Sequence, residues 1–267
     1  MIPIRAKKQL GQHFLNDEAI ALKITESLSQ RCGNLLEIGP GTGVLTKYLL
    51  KNHDFTEKDQ QASKFLALDV DRESIAYLKQ KYSEHAEAFI EADFLKFNPA
   101  DSFTGCFTVI GNFPYNISSQ IFFKVLEHVD LIPEVVCMLQ KEVAERIVSP
   151  PGHKAYGILS VLLQAWYKIE YLFTVSEHVF TPPPKVKSAV IRLTRNETTD
   201  LGCDPKLFKL IIKTAFNQRR KTLRNALKSM SFNKSSELDE LLTKRAEQLS
   251  VSEFVFLTNS LNHLLTH

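Results

Sequence analysis

The chain has 267 residues, 44% of them hydrophobic and 24% charged. These proportions are ordinary for a soluble globular chain and exclude a collagen-like, low-complexity or disordered one. The formal net charge of +3 says little about partners, but from Lys206 to Lys234 there are nine Lys or Arg and no Asp or Glu, the local field a nucleic acid would meet. The longest nearly apolar stretch, 157–166, covers about half a bilayer, and residues 1–8 lack the apolar core of a signal peptide. A cytoplasmic protein without membrane contact is expected. Four scattered cysteines (Cys32, Cys106, Cys137, Cys203) form no CxxC pair, so buried reduced thiols and no metal site are expected.

In chain order, β-rich apolar runs alternate with helical patterns. Strands are expected at 34–38, 64–70, 88–92, 107–110, 134–139, 168–175 and 188–193. Helices are expected at 18–29, 43–51, 73–82, 119–128, 141–148 and 158–166. Several strands are continuous apolar runs, which implies cover on both faces. The alternation implies an α/β fold with a mainly parallel, doubly wound sheet. The polar segment 53–63 is expected to bulge from the surface. Residues 196–205, rich in Thr, Asp, Gly and Pro, are expected to link residues 1–195 to a small all-helical domain at 206–267. If 206–228 is one helix, Lys206, Lys209, Lys213, Arg220, Arg224 and Lys228 share one face at 3.6 residues per turn. A hinge at Phe216-Asn217-Gln218 would split it.

The motif Glu37-Ile38-Gly39-Pro40-Gly41-Thr42-Gly43 follows an apolar strand and opens a helix. Its glycines allow a sharp turn and close ligand approach. It is neither the dinucleotide fingerprint nor a P-loop: Val44 stands where the former needs glycine, and the P-loop lysine is absent. A ligand without pyrophosphate fits better, and Glu37 suits a cationic or amine-bearing one. The next strand ends Leu68-Asp69-Val70-Asp71, where an acid at the carboxyl end can bond both ribose hydroxyls. The third ends at Asp93, placed to accept from an adenine amine, with Phe94 as an apolar wall. Adenosine without phosphate is the economical ligand, and S-adenosylmethionine its common form.

The fourth strand enters Gly111-Asn112-Phe113-Pro114-Tyr115-Asn116, whose core is N-x-P-Y. An adenine exocyclic amine is a poor nucleophile because its lone pair is delocalised into the ring. The Asn112 side-chain oxygen and a backbone carbonyl of Phe113 or Pro114 could engage its two hydrogens and free that lone pair. Pro114 fixes the backbone, and Tyr115 is expected to stack on the base. Preorganised dipoles of this kind raise rates without a strong base. A base in folded RNA must first be flipped out. Phe180, before Pro182-Pro183-Pro184, is expected to form the far side of a base sandwich.

With these motifs in order, the chain resembles the KsgA-type family of ribosomal RNA adenine dimethyltransferases. The resemblance runs through Gln9–Asp17, the glycine loop, N-x-P-Y, Met138–Val143, Lys154–Gly157, Phe180–Val186 and Phe216–Asn225. It implies a Rossmann-like class I methyltransferase fold with a seven-stranded sheet. It also implies S-adenosylmethionine as donor and a monomeric enzyme. The substrate implied is 16S rRNA of the small subunit, whose two adjacent adenines near the 3′ end receive four methyl groups in all. The matches to His13 and Leu15, in the 1–17 segment, close over the cofactor. Gly39 lies beneath its methionine part, with Gly41 and Gly43 in the same loop. Asp69 holds the ribose, Asp93 the adenine amine and Asn112 the reacting amine. Two departures stand out: the ribose acid, usually Glu, is Asp69, which keeps Asp71 in contention, and Phe113 replaces the usual Leu.

Arg219, Arg220, Lys221 and Arg224 are expected to contact RNA phosphates, with Arg5, Lys7 and Lys8 extending the footprint. The competing functions are a large-subunit rRNA methyltransferase of the antibiotic-resistance branch, a DNA adenine methyltransferase, and a non-catalytic module that checks ribosome assembly.

Overall fold

A computed structural model describes residues 4–29, 33–52, 63–233 and 235–261. In chain order these form β1 (Phe14–Leu15), α1 (Glu18–Glu26), β2 (Asn34–Ile38), α2 (Thr46–Asn52), β3 (Phe65–Asp69), α3 (Arg72–Lys81), β4 (Phe89–Glu91), β5 (Phe107–Asn112) and α4 (Ser118–Glu127). There follow β6 (Glu134–Gln140), α5 (Lys141–Val148), α6 (Ile158–Gln164), β7 (Tyr167–Val175), β8 (Phe180–Thr181), β9 (Ser188–Arg195), α7 (Pro205–Asn217), α8 (Leu223–Ala226), α9 (Ser236–Leu241) and α10 (Val251–Asn259). The chain divides into two compact units: Met1–Ala144 with Glu170–Arg195, and Glu145–Ile169 with Asn196–His267.

The first unit carries a seven-stranded sheet in the order β4-β3-β2-β5-β6-β9-β7. The pairs β3–β4, β2–β3, β2–β5 and β5–β6 are parallel, and β6–β9 is antiparallel. This is the Rossmann-like class I methyltransferase arrangement. The apolar runs explain it: every residue of β3 and all but the first of β2 are buried, as strands covered on both faces require. Each Leu or Phe so buried contributes roughly 1.5–3 kcal/mol. Chain order reverses at β2, which lies between β3 and β5. Ile38 pairs with both Leu68 and Gly111, so the carboxyl ends of all three strands finish level. That is the crevice where open α/β sheets bind ligands.

Helix starts follow from local chemistry. The Asp17 carboxylate accepts from the Ala19 and Ile20 amides at 2.9 and 3.0 Å and opens α1. Asp204 does the same for α7, accepting from Lys206 and Leu207 at 2.7 and 3.0 Å, with Pro205 at the first helical position.

The segment 206–228 breaks at the hinge expected at Phe216-Asn217-Gln218: α7 ends at Asn217, and a turn leads to the four-residue α8. The shared face of six cations is broken accordingly. The division at 196–205 is also incomplete, because 145–169 groups with the second unit. There α6 buries Leu159, Val161, Leu162 and Leu163 and packs on α7 and α10. α6 thereby adds its buried face to the core of the helices after residue 205. Cys137 and Cys203 are free, but Cys106 is disulfide-bonded, so a full set of reduced thiols does not hold. Cys32 and most of the 53–63 segment lie outside the described residues.

The sequence also gave no sign of a two-stranded antiparallel pair. Here β1 and β8 match Phe14 with Thr181 and Leu15 with Phe180. Each strand has two residues, too short for a periodic signal, and their partners are more than 160 positions apart.

Candidate active site

At the reversal of strand order lies an open cavity. Residues 10–14, Gly39, Gly41, Asp69, Val70 and the run Asn112-Phe113-Pro114-Tyr115 line it. Four sequence-distant motifs, the N-terminal segment, glycine loop, strand-end acid and N-x-P-Y, therefore meet in one place.

Gly39 and Gly41 both adopt positive φ, at 68° and 53°. A Cβ on Gly41 would lie 3.0 Å from the Phe14 ring, and one on Gly39 would lie 3.4 Å from the Asn112 carbonyl oxygen. The loop can hug a ligand only as glycine. Gly43 does not line the cavity; it turns the chain toward α2, with Leu78 and Tyr82 against it.

The two acids of the second strand end have separate tasks. Asp69 lines the cavity, and its carboxylate accepts from the Asp71 amide at 2.9 Å and the Gly41 amide at 3.4 Å. Burial pushes its pKa up to about 6, against those amide bonds. Asp71 is occupied elsewhere. It accepts from Lys7 Nζ at 2.6 Å, Gln12 Nε2 at 3.0 Å, the Glu73 amide at 3.1 Å and Ser74 Oγ at 3.2 Å. It caps α3 and clasps the N-terminal segment, while burial and these partners oppose each other and leave its pKa lowered. Of the two acids, Asp69 is thus the one that lines the cavity.

Lys7 also pairs with Glu73 at 3.2 Å, so it is not a free cation of an RNA footprint. Further along the same segment, His13 stacks on Tyr115 with ring centroids 5.4 Å apart and planes 28° apart. Its Nδ1 lies 2.7 Å from the Pro182 carbonyl oxygen. The His13 carbonyl accepts from Asn112 Nδ2 at 3.0 Å, which orients the Asn112 amide and leaves its Oδ1 as an acceptor. The Tyr115 hydroxyl is 2.5 Å from Ser188 Oγ.

Several expected site residues stand apart. Glu37 does not line the cavity. It is buried, accepts from Thr46 Oγ1 at 2.6 Å, and desolvation pushes its pKa up to about 8. It is a mostly neutral brace beneath the glycine loop, not a counter-charge for a ligand. Leu15 and Phe180 are both 3% exposed and belong to one core cluster with Val175 and Val190. Pairing of β1 with β8 sets both side chains in the core, so Phe180 is buried here and does not line the cavity. Asp93 accepts from the Leu95 amide at 3.0 Å, Phe94 is buried, and neither lines the cavity. Val70, 49% exposed, supplies the apolar lining instead. Gln12 and Phe14 lie in the Gln9–Asp17 motif and Lys7 in the expected basic footprint, but the roles seen here for these three, and for Val70 and Ser188, carried no signal of their own.

The second unit sorts the expected RNA-binding cations into two classes. Arg219 donates to the Lys154 carbonyl and lies 3.6 Å from the Glu247 carboxylate. Arg224 bonds Asp239 at 2.9 Å. Arg220 and Lys221 are exposed on the turn between α7 and α8. The conspicuous Tyr156 and Phe216 stack edge to face at 6.2 Å, and Phe216 stacks on Phe254 at 6.1 Å. These residues build the unit's core.

A family model described as ribosomal RNA adenine dimethylase matches residues 4–263. The chain belongs to this family. A ribosomal RNA small subunit methyltransferase A of Bacteroides fragilis is 55% identical over 98% of this chain and 94% of its own length. One from Cytophaga hutchinsonii is 56% identical over 98% and 99%. Among solved structures, a dimethyladenosine transferase from Plasmodium falciparum superposes with a TM-score of 0.75 at 26% identity, covering 92% of this chain and 96% of that one. The chain is an rRNA adenine dimethyltransferase of class I fold, and its methyl donor is S-adenosylmethionine.

The dimethylase cavity fits that donor on its own geometry. Gly39 and Gly41 leave space that a Cβ would fill, and Asp69 presents a carboxylate beside the Gly41 amide. Among the described residues no group of three or more His, Cys, Asp or Glu is placed to hold a metal ion.

Proposed function

We propose that the chain dimethylates the exocyclic amines of two adjacent adenines in the 3′-terminal hairpin of 16S rRNA, within the small ribosomal subunit. The supporting observation is the Asn112 amide, held by the His13 carbonyl at 3.0 Å at the edge of a cavity that also holds Gly39, Gly41 and Asp69. The relatives' printed name, small subunit methyltransferase, favours this acceptor over large-subunit RNA or DNA.

When bound, S-adenosylmethionine supplies an electrophilic methyl group on a sulfonium. Asp69 would hold its ribose, and Gly39 and Gly41 would receive its backbone-facing side. Asn112 Oδ1 would accept one hydrogen of the target amine. The carbonyl of Phe113 or Pro114 would accept the other hydrogen; the Pro114 carbonyl also accepts from the Ile117 amide at 3.2 Å and keeps a second lone pair. Both contacts draw hydrogens out of the ring plane and free the nitrogen lone pair for attack. No strong base is needed, since the methylated amine is far more acidic. His13 covers one face of Tyr115, and the other face would take the flipped base.

Residues 1–144 with 170–195 would supply the catalytic domain, and 206–267, joined by 145–169, the rRNA contacts. Arg220 and Lys221 are the cations we assign to phosphate. The enzyme would act as a cytoplasmic monomer. No helix among the described residues is long and apolar enough to cross a membrane.

Primer extension across both rRNAs from a strain lacking the gene tests the reading. Loss of the blocks at two adjacent small-subunit adenines supports it. Loss of a large-subunit block alone contradicts it.

A further inference from the structure

Tyr115 closes the N-x-P-Y motif, and its ring does not hold its plane by packing alone. Its hydroxyl lies 2.5 Å from Ser188 Oγ. Ser188 is fully buried, so its hydroxyl cannot trade this partner for bulk water without rearrangement. The serine is itself fixed. It opens β9 directly opposite Gln140 of β6, and the preceding Lys187 carbonyl accepts from the Lys141 amide at 3.0 Å.

The same short segment reaches Tyr115 a second time. Pro182, six residues before Ser188, bonds through its carbonyl to His13 Nδ1 at 2.7 Å, and the His13 ring stacks on Tyr115. One end of the proline segment thus holds the hydroxyl, and the other holds the ring that covers one face. A tyrosine gripped at its tip and along one face has a single plane to offer on the other.

We infer that Ser188 is a positioning residue of the methyl-transfer reaction, fixing the plane of Tyr115 on which the target adenine stacks. The inference rests on the dimethylase reading, and it assigns a task to a residue outside the N-x-P-Y motif and outside the cavity lining. A base tilted by a loose ring would present its amine off line from Asn112 and the donor. The cost should fall on turnover of RNA and leave donor binding unchanged.

Four full-length proteins decide it: the parent, Ser188→Ala, Tyr115→Phe, and the double variant. Each is assayed with unmethylated small subunits for kcat and KM, with S-adenosylmethionine for KM, and by thermal melting. Each single variant should lose about tenfold in kcat/KM for RNA, the size of one hydrogen bond. The double variant should lose no more than either single one, because both remove the same contact. The KM for the donor should stay unchanged in all four. The double variant, with no orphaned buried hydroxyl, should melt no lower than the singles. Additive losses, or parental turnover in Ser188→Ala, would overturn the inference. A parent protein that transfers no methyl to small subunits would overturn the dimethylase reading instead.

Discussion

The crevice of the first unit and the basic turn of the second are both polar and both carry motifs, yet their polar groups are used in opposite ways. In the crevice nearly every polar side chain is bonded inward, and each bond aims another group: Lys7 and Gln12 at Asp71, the His13 carbonyl at Asn112, Ser188 at Tyr115. Around the turn, Arg219 pairs with the half-buried Glu247 and Arg224 with Asp239 at the surface, while Arg220 and Lys221 stand exposed. A site that does chemistry orients its groups, whereas a surface that meets a polyanion leaves charges unspent.

The largest expected effect lies in the crevice. Asn112→Ala should lower methyl transfer by about 10²–10³-fold, as loss of one preorganised dipole does, and should keep donor affinity within a few-fold. Equal losses of donor binding and turnover, read by calorimetry and single-turnover assay, would place Asn112 in donor binding only.

Asp69→Asn should weaken donor binding by about 10–100-fold, since a charge-assisted hydrogen bond is lost. The parent's affinity should also fall as pH drops through about 6, where Asp69 takes up a proton, while the Asn variant should titrate flat. Titration calorimetry between pH 5 and pH 8 reads both. A steep pH dependence surviving in the variant would assign it to another group.

The basic turn gives smaller and separable effects. Replacing Arg220 and Lys221 by Ala should reduce the slope of log affinity against log salt by about 1.4–1.8 for two lost phosphate contacts, with melting unchanged. Arg219→Ala should do the reverse, lowering stability by roughly 1–2 kcal/mol through an orphaned carbonyl and carboxylate. If Arg219→Ala instead changes the salt slope and spares the melting point, the division between strut and contact is wrong.

A last effect falls on stability alone. Glu37 has its folded-state pKa raised to about 8 by burial. Its favourable neutral form is present at low pH, and the associated stability is lost as pH rises from the unfolded value near 4.5 through about 8. Glu37→Gln should keep a hydrogen bond with Thr46 and remove that decline. Melting curves from pH 5 to pH 9 check it, and parallel curves for the two proteins would refute the assignment.

How much of this was legible in the sequence depends on how local each signal is. The strand Asn34–Ile38 is recovered to the residue because an apolar run between polar ends has one reading. Gly39, Gly41, Asp69 and Asn112 were legible because strand ends in this fold meet at one edge, and the structure gathers all four there. Phe180 and Leu15 were misplaced because their orientation is set by the β1–β8 pairing, which no local pattern encodes. Asp71 stayed tied with Asp69 until Lys7 and Gln12, some sixty residues away, were seen to occupy it. A run of cations shows where charge is concentrated, but only the fold shows that Arg219 faces Glu247.

The most direct test is transfer of labelled methyl groups from S-adenosylmethionine to purified, unmethylated small subunits, followed by nucleoside analysis of the RNA. The account predicts label in N6,N6-dimethyladenosine at two adjacent positions of the 3′-terminal hairpin, and none with the Asn112→Ala protein. Label confined to large-subunit RNA or duplex DNA, or undiminished in that variant, would contradict it.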